Sequence, residues 1–134
     1  MPGQGSRGYV RDMRPSTDDP IARLRSVCMA LPEVAERPSH GSPAWFVQGR
    51  KTLATLDDHH HGVDHVAFWC PAPPGVQADL VDLEPGRFFR PPYVGHRGWV
   101  GVRIDRDPGW EEVARILEEA YRLVAPRKLV ALLR

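Results

Sequence analysis

Two segments with helical periodicity bracket a series of short β-rich runs, and this order restricts the chain to a layered fold. The first segment follows Asp18-Asp19-Pro20, which places an acid at the N-cap and a proline in the first helical turn. The second follows Asp107-Pro108, which is predicted to cap it, and its apolar stripe contains Trp110, Val113, Ile116, Leu117, Ala120, Tyr121 and Val124. Each amphipathic helix must bury its apolar face against the residues between them.

The first half of the intervening sequence predicts three strands. Residues 44–47 and 51–56 are predicted to form a hairpin around Gln48-Gly49-Arg50, because both runs are rich in β-formers and the connection contains glycine. Residues 65–70 form a third β-rich run. Residues 33–43 contain many turn formers and are predicted to be a loop.

The second half predicts one short helix and a second hairpin. Pro73-Pro74-Gly75 opens the helix and Pro85-Gly86 stops it. Residues 87–94 and 98–105 are then predicted to pair as antiparallel strands. The complete order is α-β-β-β-α-β-β-α, which is typical of a two-layer α+β fold with helices covering an antiparallel sheet.

The chain is predicted to be one domain preceded by a disordered tail. Residues 1–16 contain three glycines, two prolines and three arginines and few apolar groups, so we expect residues 17–134 to form the domain. No apolar run is long enough to span a membrane, and no signal peptide is evident. Cys28 and Cys70 have no metal-ligand spacing and are predicted to be free thiols, as is usual for a cytoplasmic protein.

Residues 87–105 combine arginines and aromatics without an acid before Asp105. The net charge of the whole chain is only +1, from 18 basic and 17 acidic side chains, so a role in binding nucleic acid depends on this local cluster. In the second strand of the predicted hairpin, strand alternation assigns Val100, Val102 and Ile104 to the core. The opposite face then carries Trp99, Gly101 and Arg103, and the glycine is predicted to leave a shallow trough between its larger neighbours.

Two binding functions fit this hairpin. In the first, its arginines hold the phosphate backbone of double-stranded DNA, and these are Arg87, Arg90, Arg97 and Arg103. In the second, Tyr93, His96 and Trp99 line the trough and a small planar molecule stacks there, in a binding protein or an unrecognised enzyme. A third interpretation assigns no ligand at all: the aromatics pack in the core and the arginines form a solvated rim.

The histidines at positions 59–61 resemble a metal site, since imidazole and the nearby carboxylates suit Zn²⁺, Ni²⁺ or Fe²⁺. Three consecutive histidines cannot all face one ion, however, and a hairpin tip supplies no outer groups to hold them. We interpret them as a solvated turn and predict no metal and no cofactor. No nucleophile motif, Walker loop or dinucleotide fingerprint is present, so no catalytic residue is predicted and a non-enzymatic binding protein is favoured.

Four short stretches resemble the MmcQ/YjbR-like family: Ala-Leu-Pro-Glu-Val at 30–34, Gly-Arg-Lys-Thr at 49–52, Gly-His-Arg-Gly-Trp at 95–99 and Ala-Tyr-Arg-Leu-Val at 120–124. The resemblance extends over about residues 20–130. It implies a two-layer α+β arrangement similar to that of secretion chaperones. It also implies DNA binding, because members are often described so by analogy with a double-wing domain, and it brings no established catalytic residues. The expected protein is a monomer or a homodimer.

Overall fold

A computed structural model describes residues 19–59 and 65–133, which fold into helices on one face of an antiparallel sheet. The helices are α1 (Pro20–Met29), α2 (Val76–Leu83), α3 (Trp110–Val124) and α4 (Arg127–Val130). The strands are β1 (Val34–Ser39), β2 (Ser42–Val47), β3 (Lys51–Asp58), β4 (Val66–Cys70), β5 (Phe88–Phe89) and β6 (Val100–Arg103). They pair in the order β1-β2-β3-β4-β6-β5. The predicted α+β class is confirmed, and the predicted tail at residues 1–16 lies outside the described residues.

The core lies between one face of the sheet and helices α1 and α3. Leu24 of α1 and Leu117 of α3 are fully buried there against Phe68 of β4 and Val102 of β6. The predicted assignment of Val100, Val102 and Ile104 to this face is therefore confirmed. The hydroxyl of Tyr121 donates a hydrogen bond of 2.7 Å to the carbonyl of Pro32, which ties α3 to the chain that leaves α1.

The two long helices, α1 and α3, begin in different ways. Asp19 caps α1 as predicted, because its Oδ1 accepts hydrogen bonds from the amides of Ile21 and Ala22 at 3.1 and 3.2 Å. Asp107 does not cap α3: the N-cap is Gly109 at φ 73°, with no side-chain bond. Arg87 donates to the carbonyl of Pro108 at 2.7 Å, so a tertiary contact holds the chain just before α3 begins at Trp110.

The prediction of a loop at residues 33–43 is wrong, because this segment contains the edge strand β1. His40 and Gly41, both at positive φ, form the two-residue turn between β1 and β2. Pro38 is tolerated since an edge strand needs no amide on its outer side. Glu36 points to the helix side, where its carboxylate accepts hydrogen bonds from Trp45 and Arg25, and this charge hid the strand alternation.

The second predicted hairpin is paired for only two residues of its first strand. Phe88 and Phe89 lie opposite Val102 and Gly101, and β6 lies inside the sheet between β4 and β5. Residues 90–99 form a loop with a 3₁₀ turn at Gly95–Arg97, because Pro91 and Pro92 have no amide to extend the ladder. The segment is therefore not a projecting wing. None of the helices in the described part of the chain has the length and apolarity that crossing a membrane requires.

Candidate ligand-binding cleft

The sheet face turned away from α1 and α3 carries a mixture of aromatic and polar side chains. Thr55 of β3 lies opposite Trp69 of β4, which in turn lies opposite Gly101 of β6. A Cβ atom added to Gly101 would lie 2.4 Å from the ring of Phe89. The predicted trough at Gly101 therefore does not exist, because Phe89 fills the space that the glycine leaves.

A cleft of about 910 Å³ opens beside the 90–99 loop, and its lining combines Thr55 and Trp69 of this face with Leu123 and Val124 at the end of α3. Its hydroxyl groups come from Ser39, Ser42, Thr52 and Thr55, and its aromatic rings from Trp69, Tyr93 and Trp99. The basic side chains in its lining are Lys51, Arg97 and His40. None of the described lining residues is acidic. Volume and lining are typical of a small-ligand site that favours negative charge.

The indole of Trp69 in this cleft is held by a buried carboxylate. Asp57 is only 2% exposed, and its Oδ2 accepts a hydrogen bond of 3.0 Å from the Trp69 ring nitrogen. The same oxygen lies 2.9 Å from Nε2 of His65, whose ring is stacked 4.9 Å from that of Phe89. Because a buried carboxylate needs hydrogen-bonding partners, this network fixes the indole before any ligand arrives.

The 90–99 loop forms the other wall, and α2 anchors it. The side-chain amide of Gln77 donates to the carbonyls of Gly95 and Trp99, one at each end of the 3₁₀ turn. Trp99 is 8% exposed, and the guanidinium carbon of Arg97 lies 5.4 Å from its ring centroid. This distance is suited to a cation–π contact. Tyr93 is 68% exposed and has φ 68°, in the left-handed region.

The amino-acid sequence matches a known protein family. The family model of YjbR matches residues 29–123, well over half of the chain. The chain belongs to the YjbR family. No curated protein and no solved structure matches it. The part shared with YjbR runs from the end of α1 almost to the end of α3, so it includes every strand of the sheet and all of the cleft lining except Val124.

Two of the four arginines predicted to bind DNA are bound to acids. Arg87 donates to Glu112 at 2.6 Å and to Glu84 at 2.9 Å, and these bonds raise its pKa above the ordinary value. Arg103 forms a two-point bond with Asp105, at 3.2 and 2.8 Å, which lowers the pKa of that carboxyl group. Neither arginine lines the cleft. The contacts of Arg87 join distant segments of the fold, whereas the contact of Arg103 with Asp105 is local.

The other two, Arg90 and Arg97, lie exposed in the 90–99 loop. Arg90 packs across Gly95, where an added Cβ would lie 2.6 Å from its Cγ. Within the described residues neither arginine takes part in an ion pair. The structure thus divides the predicted DNA-binding set into two neutralised members and two exposed ones.

The predicted trough residues are divided in a similar way. Tyr93 and Trp99 line the cleft, whereas His96 is exposed outside its lining. Lys51 and Trp69 also line the cleft, although neither was predicted as a site residue. A signal was available in the alternation of β3 and β4, which puts Thr55 and Trp69 on the face opposite the core.

The cysteines and histidines provide no further chemical site in the described part of the chain. Cys28 and Cys70 are free and buried, as predicted, and burial raises the pKa of both thiols far above the ordinary value. Within residues 19–59 and 65–133, no group of three His, Cys, Asp or Glu side chains is placed to hold a metal. The histidines at 60 and 61 lie outside those residues.

Proposed function

We propose that this YjbR-family protein is a binding module for DNA, and that it contacts DNA through the cleft and the exposed cations at its mouth. The observation that carries the proposal is the composition of the cleft: three aromatic rings and the cations Lys51 and Arg97, with no acid among the described lining residues. Cations neutralise phosphates, and aromatic rings stack on bases, so this combination suits a nucleic acid.

The proposed contact set differs from the one derived from the sequence. Arg87 and Arg103 already have their charges offset by Glu112, Glu84 and Asp105, so we exclude them. Arg90 and Arg97 remain, and Lys51 joins them. With a net charge of +1, the attraction for a polyanion has to come from this local group.

Fluorescence anisotropy with labelled DNA over a series of salt concentrations tests the proposal. We expect binding at low salt that weakens steeply as salt rises, because each neutralised phosphate releases counterions. The double variant Lys51→Glu/Arg97→Glu should bind more weakly and with a slope reduced by roughly one to two units. Arg115→Glu/Arg127→Glu, which reverses two exposed charges outside the cleft lining, is the matched control. A folded protein that binds no DNA at low salt would contradict the proposal.

A second candidate ligand is a small planar anion that binds without DNA. The volume of about 910 Å³ favours it, since small-molecule sites usually occupy about 300–1,000 Å³. Such a ligand should change the tryptophan fluorescence, and Trp99→Ala should abolish the change while the protein stays folded. An unchanged spectrum across a panel of nucleotides and aromatic acids would argue against this candidate.

A further inference from the structure

We infer that the cleft accepts an unpaired nucleotide of single-stranded DNA, with its base stacked on Tyr93 and its phosphate held by Arg97 and Lys51. The inference rests on the proposed function and specifies the form of DNA that the same site takes. All three side chains line the cleft.

The presentation of Tyr93 is the first argument. Among the described residues it is the only large aromatic side chain that is mostly exposed, at 68%. Its φ of 68° is unfavourable for any residue with a side chain, and asparagine or glycine would adopt it more easily. The local backbone holds it there, since the amide of Val94 bonds to the carbonyl of Pro92 at 2.7 Å. The ring therefore forms a surface at the mouth of the cleft on which a base can stack, and backbone strain of this kind can accompany a binding site.

The shape of the site is the second argument. A duplex keeps the faces of its bases inside the stack and offers a protein its phosphates and groove edges. Here the cations lie in a cleft together with aromatic rings, so the arrangement suits a base that has left the stack better than a base inside a duplex. The Arg97 guanidinium on Trp99 provides a second planar surface beside Tyr93, and the hydroxyls of Thr52 and Thr55 can bond to the edge of a base.

The surroundings of the cleft favour a strand over a free mononucleotide. Arg50 precedes Lys51 in the turn between β2 and β3, and Arg90 lies in the same loop as Arg97. Both arginines are exposed and lie outside the cleft lining. We expect them to neutralise the phosphates next to a nucleotide in the cleft, and a mononucleotide has none there.

The test compares three ligands on the full chain: an oligothymidylate of about ten nucleotides, a duplex of the same length, and thymidine monophosphate. The length of about ten nucleotides lies within the site size of single-strand-binding modules. We expect the single strand to bind roughly ten times more tightly than the duplex at equal salt. Tyr93→Ala should weaken single-strand binding roughly tenfold, because base–aromatic stacking contributes that much in such modules. Tyr93→Phe keeps the ring and should retain the affinity within about twofold.

Leu83→Ala is the matched control, because Leu83 is 77% exposed and lies outside the cleft lining. Circular dichroism and thermal unfolding of each variant establish that it is folded. If duplex and single strand bind equally and Tyr93→Ala changes neither, the inference is overturned while the DNA-binding proposal stands. If thymidine monophosphate binds as tightly as the oligothymidylate, the assignment to a strand is overturned. If neither form of DNA binds at low salt, the proposed function fails together with the inference.

Discussion

The two faces of the sheet are built from the same strands but differ in polarity. On the helix-covered face, Phe68 and Val102 are fully buried in an apolar core. On the open face, the neighbouring residues Trp69 and Arg103 hydrogen-bond to carboxylates. A strand position thus faces either the apolar core or the polar network according to which way its side chain points. Substitutions on the two faces should therefore differ in their effect on stability.

The largest expected effect is on the covered face. Phe68→Ala should lower the free energy of unfolding by about 3–5 kcal/mol, because it removes a fully buried ring and leaves a cavity. Thr55→Ala, on the open face of the adjacent strand, should cost less than about 1 kcal/mol. Urea unfolding of both variants measures the difference, and equal losses would show that the two faces contribute alike.

Gly101→Ala tests the part of the open face that Phe89 covers. Its new Cβ would lie 2.4 Å from the Phe89 ring, so we expect a loss of about 1–3 kcal/mol from overpacking. In a Phe89→Ala background the same change should cost much less, because the ring that it strikes is gone. A double-mutant cycle measures this coupling, and additive losses would refute the contact.

The arginines offer a smaller contrast. Arg87→Ala should cost about 1 kcal/mol, because it removes bonds to Glu112, Glu84 and the Pro108 carbonyl. Arg90→Ala, at an exposed position without an ion pair among the described residues, should stay within about 0.5 kcal/mol. Thermal unfolding compares them. A larger loss for Arg90 would reverse our division of the four arginines.

The smallest expected effect is the pH dependence of stability that arises from the pair of Arg25 and Glu36. The hydrogen bond from Arg25 lowers the pKa of Glu36 below the ordinary value. The stabilisation is therefore present above the pKa of an unfolded-state glutamate, and it is lost as the pH falls through the lower folded-state pKa. In Glu36→Gln, the free energy of unfolding should fall less between neutral and acidic pH than in the unmodified protein. We expect this difference to be below about 1 kcal/mol, because the pair is partly solvated. An equal fall in the free energy of unfolding of both proteins at acidic pH would contradict this prediction.

The covered face was the easier part to predict from the sequence. The stripe of α3 and the alternation of Val100, Val102 and Ile104 repeat with the periods of helix and strand, so the core follows from spacing alone. β1 was missed because Glu36 and Pro38 break that spacing, and both are accounted for only by tertiary contacts and the position at the sheet edge.

The candidate site was predicted only in part for a different reason. Tyr93 and Trp99 were identified because they lie in one conspicuous segment. Lys51 and Trp69 come from two other strands, and only strand order brings them to the same cleft. The closure of the gap at Gly101 depends on the rotamer of Phe89, and the neutralisation of Arg87 depends on Glu112 in a helix 25 residues later. No local pattern contains such information.

The bond between Tyr121 and Pro32 joins residues 89 positions apart and has a consequence for synthesis of the protein. All six strands are synthesised before α3 leaves the ribosome. Until then, the apolar face of the sheet is not yet buried by α3. During that interval it is open to other nascent chains and to chaperones. Stop codons that remove α3 should therefore yield insoluble product rather than a smaller folded domain.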